Sequence, residues 1–246
     1  MKTSIDINSP WGDSIDTVLH SKPLTEWYSG SFQPLPYNVF MLPKEYSFDI
    51  EEMKRNVNSI LEKNETIRAI ANKEGKTMSR YKGLGFFARK HSNNPLADHF
   101  VRRDAKLGEV YAGEYNNRLH SLVEDDFTEE TEIMTDYFRQ VFSVFNHKIT
   151  KASLLDLAPK GHLGSHIDFP YYKNIRLHAT VFGGEGAWYE VAGEKFQLPA
   201  DGNWYFMDVG KYHSIWNKGP STRLTLNVNL TGLLEDPYEL AKCLRL

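Results

Sequence analysis

From about residue 148 onward the chain reads as short apolar runs separated by turn residues. Leu154–Leu157, Arg176–Phe182, Ala187–Val191, Lys195–Leu198, Trp204–Met207 and Thr222–Leu230 have the length and the β-branched and aromatic content of strands. Pro159-Lys160-Gly161, Gly183-Gly184-Glu185-Gly186, Ala192-Gly193, Asp201-Gly202 and Lys218-Gly219-Pro220 punctuate them. Leu224, Leu226, Val228 and Leu230 alternate with Thr225, Asn227 and Asn229, the period of two expected of a half-buried strand. Short strands with regular turns predict a mainly β domain with flanking helices, and a double-stranded β-helix (jelly roll, cupin-like) is its natural form.

The first part, residues 1–147, reads as helix and loop. Ile50, Met53, Val57, Ile60 and Leu61 follow Ser47 at helical spacing, predicting a helix capped by that serine. A second helix is expected to start at Asp126, with acidic residues in its first turn. Its apolar stripe would be Met134, Tyr137, Phe138, Val141, Phe142 and Phe145. That aromatic stripe is core packing against a sheet rather than a cofactor box. The two glycines in Arg80-Tyr81-Lys82-Gly83-Leu84-Gly85 do not make a dinucleotide fingerprint. The chain is expected to be one domain. In it, residues 1–147 pack on the core and shape a pocket, 148–232 form the jelly roll that carries the chemistry, and 233–246 form a tail.

Composition narrows the function classes. The net charge of −3 leaves no basic footprint for nucleic acid or a membrane surface. The Arg102-Arg103 pair is isolated and reads as solvated surface. A single cysteine, Cys243, excludes an internal disulfide and a paired-cysteine zinc or redox motif. The N-terminal stretch is acidic where a signal peptide would be apolar, and no apolar run approaches a membrane span. A cytoplasmic protein is the expectation.

His166-Ile167-Asp168 is the only H-x-D in the sequence. On an extended segment, residues i and i+2 point to one face, so the imidazole and the carboxylate can converge. Two histidines and one carboxylate on one side of a metal leave open positions, as in non-haem Fe(II) oxygenases. The spacing alone is weak; what strengthens it is His213 followed ten residues later by Arg223. If the two lie on an antiparallel hairpin turning at 217–221, Arg223 is a diagonal neighbour on the face of His213. A fixed guanidinium near a metal can hold one carboxylate of a dicarboxylate co-substrate through two parallel hydrogen bonds.

These residues carry a resemblance. Leu157-Ala158-Pro159-Lys160-Gly161-His162, His166-Ile167-Asp168 and Arg176-Leu177-His178 resemble the aspartyl/asparaginyl β-hydroxylase family, whose superfamily includes the bacterial proline cis-hydroxylases. Gly202-Asn203-Trp204-Tyr205-Phe206-Met207-Asp208, His213-Ser214-Ile215-Trp216-Asn217 and Arg223 continue the match in order, over roughly residues 150 to 230. The resemblance implies a jelly-roll oxygenase using Fe(II), with 2-oxoglutarate and O2 as co-substrates. His166, Asp168 and His213 would bind iron. Arg223 would hold the distal carboxylate of 2-oxoglutarate, with Arg176 and His178 beside the co-substrate.

Two positions depart from the animal aspartyl/asparaginyl hydroxylases. Those enzymes lack the carboxylate ligand that Asp168 would supply, and Leu155 stands where they have a serine that helps bind 2-oxoglutarate. Both differences favour hydroxylation of an amino acid, free or in a small metabolite, over a residue within a peptide or protein. Asp168 also favours hydroxylation over halogenation, since related halogenases have a small residue there. The alternatives of another class are a non-catalytic jelly-roll binding module and a cupin-like isomerase or metal sensor. Neither needs both arginines.

Overall fold

The computed structural model describes residues 38–70, 77–92, 95–98, 127–145, 148–166, 168 and 175–231, with backbone alone at 67–70, 77–81, 97, 166 and 231. Asp126, Arg102, Arg103, Cys243 and the expected tail lie outside the described residues, and Arg80 is described by its backbone.

In chain order the elements are β1 (Val39–Met41), α1 (Ile50–Lys63), β2 (Ile67–Ile70), β3 (Thr77–Gly85), β4 (Phe87–Arg89), β5 (Phe127–Glu130) and α2 (Asp136–Phe142). They continue with β6 (Lys148–Leu157), β7 (His162–His166), β8 (Ile175–Phe182), β9 (Ala187–Val191), β10 (Glu194–Phe196), β11 (Tyr205–Met207), β12 (His213–Asn217) and β13 (Arg223–Thr231). Seven strands form a major sheet in the order β1-β11-β8-β13-β6-β3-β2. Four form a minor sheet, β10-β9-β12-β7, and β4 pairs with β5 apart from both. All the pairings are antiparallel. This is the jelly-roll layering that the strand pattern predicts.

The alternation within each central strand decides which layer it joins. Leu224, Leu226, Val228 and Leu230 of β13 share one apolar cluster with Leu177, Ala179 and Val181 of β8, Ala152 and Leu154 of β6, and Phe206 of β11. The buried faces of the helices, Met53, Val57 and Ile60 of α1 and Phe138, Val141 and Phe142 of α2, close over it. The opposite face meets the minor sheet, where Leu155, Leu157, Met207 and Val209 pack on Leu163, Tyr189, Val191 and Ile215. β13 is therefore covered on both sides. Thr225 and Asn229, expected at a solvated face, are buried at 0% and 3% exposure.

Several local expectations are corrected. The cap of α1 is Asp49, whose carboxylate accepts from the Glu51 and Glu52 amides at 2.8 and 3.0 Å. Ser47 instead closes the preceding short turn by donating to the Lys44 carbonyl at 2.6 Å. Residues 127–130 form a strand, not the first turn of a helix. Phe127 is buried beneath the Arg89 guanidinium, 4.5 Å from its ring centroid. α2 begins only after Thr135. The first part is not helix and loop alone: β1, β2 and β3 extend both edges of the major sheet.

The predicted hairpin of His213 with Arg223 is also wrong. β12 pairs with β7 and β9, whereas β13 pairs with β6 and β8. The reason lies in the connection. Asn217 Nδ2 donates to the carbonyls of Leu157 and Ser221, both at 2.8 Å, and its Oδ1 accepts from the Gly219 amide at 3.0 Å. This side-chain bracket fastens the end of the minor sheet to the major sheet, so the turn carries the chain across the sandwich. His213 and Arg223 then approach through the interior rather than along a ladder.

Candidate active site

The inner face of the major sheet is apolar toward one end and polar along β8 and β13. Cross-strand register pairs Arg176 with Asn229, His178 with Asn227, and Thr180 with Thr225. Side chains of directly opposed residues share a face and touch. Arg223 ends the same row on β13. From the minor sheet, Tyr189 leans into it: its ring lies 5.7 Å from that of His178, edge to face, and the Arg223 guanidinium sits 4.6 Å above its centroid.

Opposite this row, His213 and His166 are cross-strand partners on β12 and β7. His166 is placed by its backbone; its side chain lies outside the described residues. Asp168 follows two residues later. Its Oδ2 stands 3.8 Å from His213 Nε2, and it pairs with Arg176 Nη1. Arg176 Nε in turn donates to Asn229 Oδ1 at 3.0 Å. His213 Nδ1 is 3.0 Å from the Lys211 carbonyl. A carbonyl only accepts, so Nδ1 carries a proton, and in the neutral ring Nε2, which faces Asp168, is the acceptor. A metal ligand needs that tautomer, with its other ring nitrogen held by a backbone oxygen.

Buried polar atoms without hydrogen-bond partners among the described residues concentrate in this row. They include Arg223 Nη1, Tyr189 Oη, Thr180 Oγ1, Asn227 Oδ1 and both ring nitrogens of His178. Buried polar groups are ordinarily satisfied, and each exception calls for an explanation. Arg223 is 2% exposed, and its Nε donates to Thr225 Oγ1 at 2.7 Å. No carboxylate among the described residues pairs with it. A guanidinium is a permanent cation, and burying one without an anion costs several kcal/mol, on the order of 3–5. His178 is pushed well below the usual histidine range by burial first, and then by the Arg176 and Arg223 charges around it. It is neutral at pH 7 and offers one donor and one acceptor. A row of this kind suits a small anionic, oxygen-rich molecule lying between the sheets.

The aspartyl/asparaginyl β-hydroxylase family matches residues 108–231, half of the chain. The chain belongs to this family. It is an oxygenase that uses Fe(II), with 2-oxoglutarate and O2 as co-substrates. No curated protein matches it. Among solved structures, it is similar to an oxidoreductase of the 2OG-Fe(II) oxygenase family from Burkholderia pseudomallei. That match has 13% identity and a TM-score of 0.44, covering 85% of this chain and 90% of the other. A cupin domain from Bordetella pertussis matches at 14% identity and a TM-score of 0.29, covering 36% and 88%. A cupin protein from Bacteroides fragilis matches at 21% and 0.29, covering 35% and 69%.

For a β-hydroxylase family member, the residues present fit the group the family uses. The unpartnered Arg223 Nη1 and the neutral His178 answer the needs of a dicarboxylate. The Nε2 of His213 and the carboxylate of Asp168 are nitrogen and oxygen donors of the kind Fe(II) takes. Reading the sequence missed Tyr189, Thr180, Thr225 and Asn229. The last two carried a signal, because polar residues alternating within a strand also fit a strand buried on both sides with one face built for a ligand. No helix among the described residues is long and apolar enough to cross a membrane.

Proposed function

We propose that this oxygenase hydroxylates an unactivated C–H bond of an amino acid, free or within a small metabolite, with His166, Asp168 and His213 as its iron ligands. The observation that carries the reading is Asp168. Its carboxylate stands beside Nε2 of His213 and is tied by Arg176, which Asn229 steadies. A two-histidine, one-carboxylate set leaves open positions for co-substrate and O2. Leu155, packed in the core between the sheets, brings no hydroxyl to the co-substrate.

When bound, Fe(II) with 2-oxoglutarate and O2 supplies the oxidising chemistry, and 2-oxoglutarate leaves as succinate and CO2. The chain provides binding, orientation and exclusion of water. Arg223 holds the distal carboxylate of 2-oxoglutarate, with the Tyr189 ring beneath the guanidinium and Thr225 fixing its rotation. His178, held neutral by its surroundings, gives the co-substrate a hydrogen bond without adding charge. Arg176 keeps the Asp168 carboxylate turned toward His213 and supports the co-substrate end of the row. Leu155, Leu157, Met207, Val209 and Ile215 form the dry wall around these groups, where hydrogen bonds to charge gain strength.

The test is a screen for succinate release and for product one oxygen atom heavier, run with free amino acids beside peptides that contain Asp or Asn. Coupled turnover of a free amino acid, with the peptides inert, is expected. Coupled turnover of the peptides alone would replace the amino-acid reading with a protein hydroxylase. Folded, iron-loaded protein that consumes neither would favour a binding module.

A further inference from the structure

The loop 208–211, between β11 and β12, lends two backbone carbonyls to the site. Val209 O accepts from the Asp168 amide at 2.8 Å, and Lys211 O accepts from His213 Nδ1 at 3.0 Å. The loop includes Gly210, whose backbone is the least restrained of any residue. The Lys211 amide closes a turn within it by donating to the Asp208 carbonyl at 3.2 Å, and three contacts hold that turn to the edge of the sheet. The Asp208 amide donates to the Asn38 carbonyl at 2.8 Å. Lys211 Nζ donates to Asn38 Oδ1 at 2.7 Å and pairs with Asp208 Oδ2 at 3.2 Å. Asn38 leads directly into β1, whose Val39 is in register with Met207. Lys211 thus ties both ends of the loop to the edge strand of the major sheet. Asp208, only 4% exposed, would be a buried carboxylate without that ammonium.

We infer that Lys211 is a positioning residue of the metal centre. Through Asp208 and Asn38, it fixes the loop whose carbonyls set the His213 tautomer and the backbone of Asp168. The inference rests on His213 and Asp168 being ligands, as proposed above. Partners that orient a ligand histidine typically change metal affinity about 10- to 100-fold when lost. A lysine that merely fastened β1 would change stability and leave the tautomer alone.

The experiment compares wild type with Lys211→Met, Lys211→Arg and Asn38→Ala by three readouts. In metal-free protein, nitrogen NMR of the His213 ring reports the tautomer, and hydrogen exchange reports the Asp168 amide. Calorimetric titration with Co(II) reports metal binding. Wild type should show the proton on Nδ1. Lys211→Met should mix the tautomers, speed exchange at Asp168 and weaken Co(II) binding by about 10- to 100-fold. Lys211→Arg should restore all three, and Asn38→Ala should move them part of the way. Folded Lys211→Met with wild-type tautomer, exchange and Co(II) affinity overturns the inference, whatever its melting temperature. Should Lys211→Met fail to fold, an Asn38→Ala protein with all three readouts unchanged overturns it equally. Wild type that binds no Co(II) defeats the ligand assignment instead, and the tautomer and exchange data still decide whether Lys211 holds the loop.

Discussion

Replacing Arg223 with methionine separates a ligand-binding arginine from a structural one, because the two roles predict opposite effects on the empty protein. Methionine keeps most of the aliphatic length and can still lie against Tyr189. The change removes a guanidinium that is 2% exposed, leans on Thr225, and leaves Nη1 unpartnered. Breaking a buried structural ion pair costs about 3–5 kcal/mol. Here the described residues offer no such pair, so the empty protein should lose less than about 1 kcal/mol and could gain stability. The loss should instead appear on binding. Two charge-assisted hydrogen bonds to a carboxylate, at about 1.5–3 kcal/mol each and not fully additive, are together worth about 3–4 kcal/mol. That corresponds to a roughly 100- to 1,000-fold weaker Kd for 2-oxoglutarate.

The assay is thermal unfolding under anaerobic conditions, with and without 2-oxoglutarate. At 100 times its Kd the co-substrate stabilises wild type by about 2.7 kcal/mol, which is roughly 5–10 °C for a chain of this size. At the same concentration the variant gains less than about 0.5 kcal/mol. Collapse of the empty variant, with the 2-oxoglutarate shift intact, would refute the reasoning and make Arg223 a structural residue.

Three further outcomes are expected. Asp168→Ala should weaken metal binding by more than the roughly 100-fold typical of losing a supporting partner, measured by calorimetry, while leaving the fold intact. Gly183→Ala should destabilise by about 3 kcal/mol or more in chemical denaturation, since Gly183 has φ +68° and an added Cβ would fall 2.2 Å from the Thr222 carbonyl oxygen. Stability should fall as pH drops through the unfolded-state histidine range, about 6.5, because the unfolded chain takes up a proton that buried His178, lowered by burial, refuses. Below that range His178→Gln should flatten the slope by up to one proton, or about 1.4 kcal/mol per pH unit, and an unchanged slope would show that His178 does not set it.

Most strands of the second part were legible because their side chains face apolar layers on at least one side, but β7 and β12, which carry the candidate ligands, did not stand out as strands. The match extends to Ala187–Val191, which the structure reproduces residue for residue. Helix starts were less legible. Ser47 and Asp49 are both capping residues, and only the short turn that engages Ser47 decides between them. Residues 127–130 look like an acidic first turn, yet pairing with Phe87–Arg89 overrides that preference. The approach of Asp168 to His213 was legible in the family's motif order alone, since the local spacing bears only on His166 and Asp168. The route by which Arg223 joins them did not, because it depends on Asn217 bracketing two sheets across 60 residues of sequence. Tyr189 was invisible for a similar reason: an inward aromatic in a strand reads as core until a guanidinium is found stacked on it.

The most direct measurement is an anaerobic titration of metal-free protein with Fe(II) and 2-oxoglutarate, following the visible charge-transfer band of their chelate. The proposed site predicts a band that saturates at one equivalent of iron. It should weaken in Asp168→Ala, and in Arg223→Met it should require far more 2-oxoglutarate. Folded wild-type protein that gives no band, or a band indifferent to both substitutions, would contradict the assignment of the site.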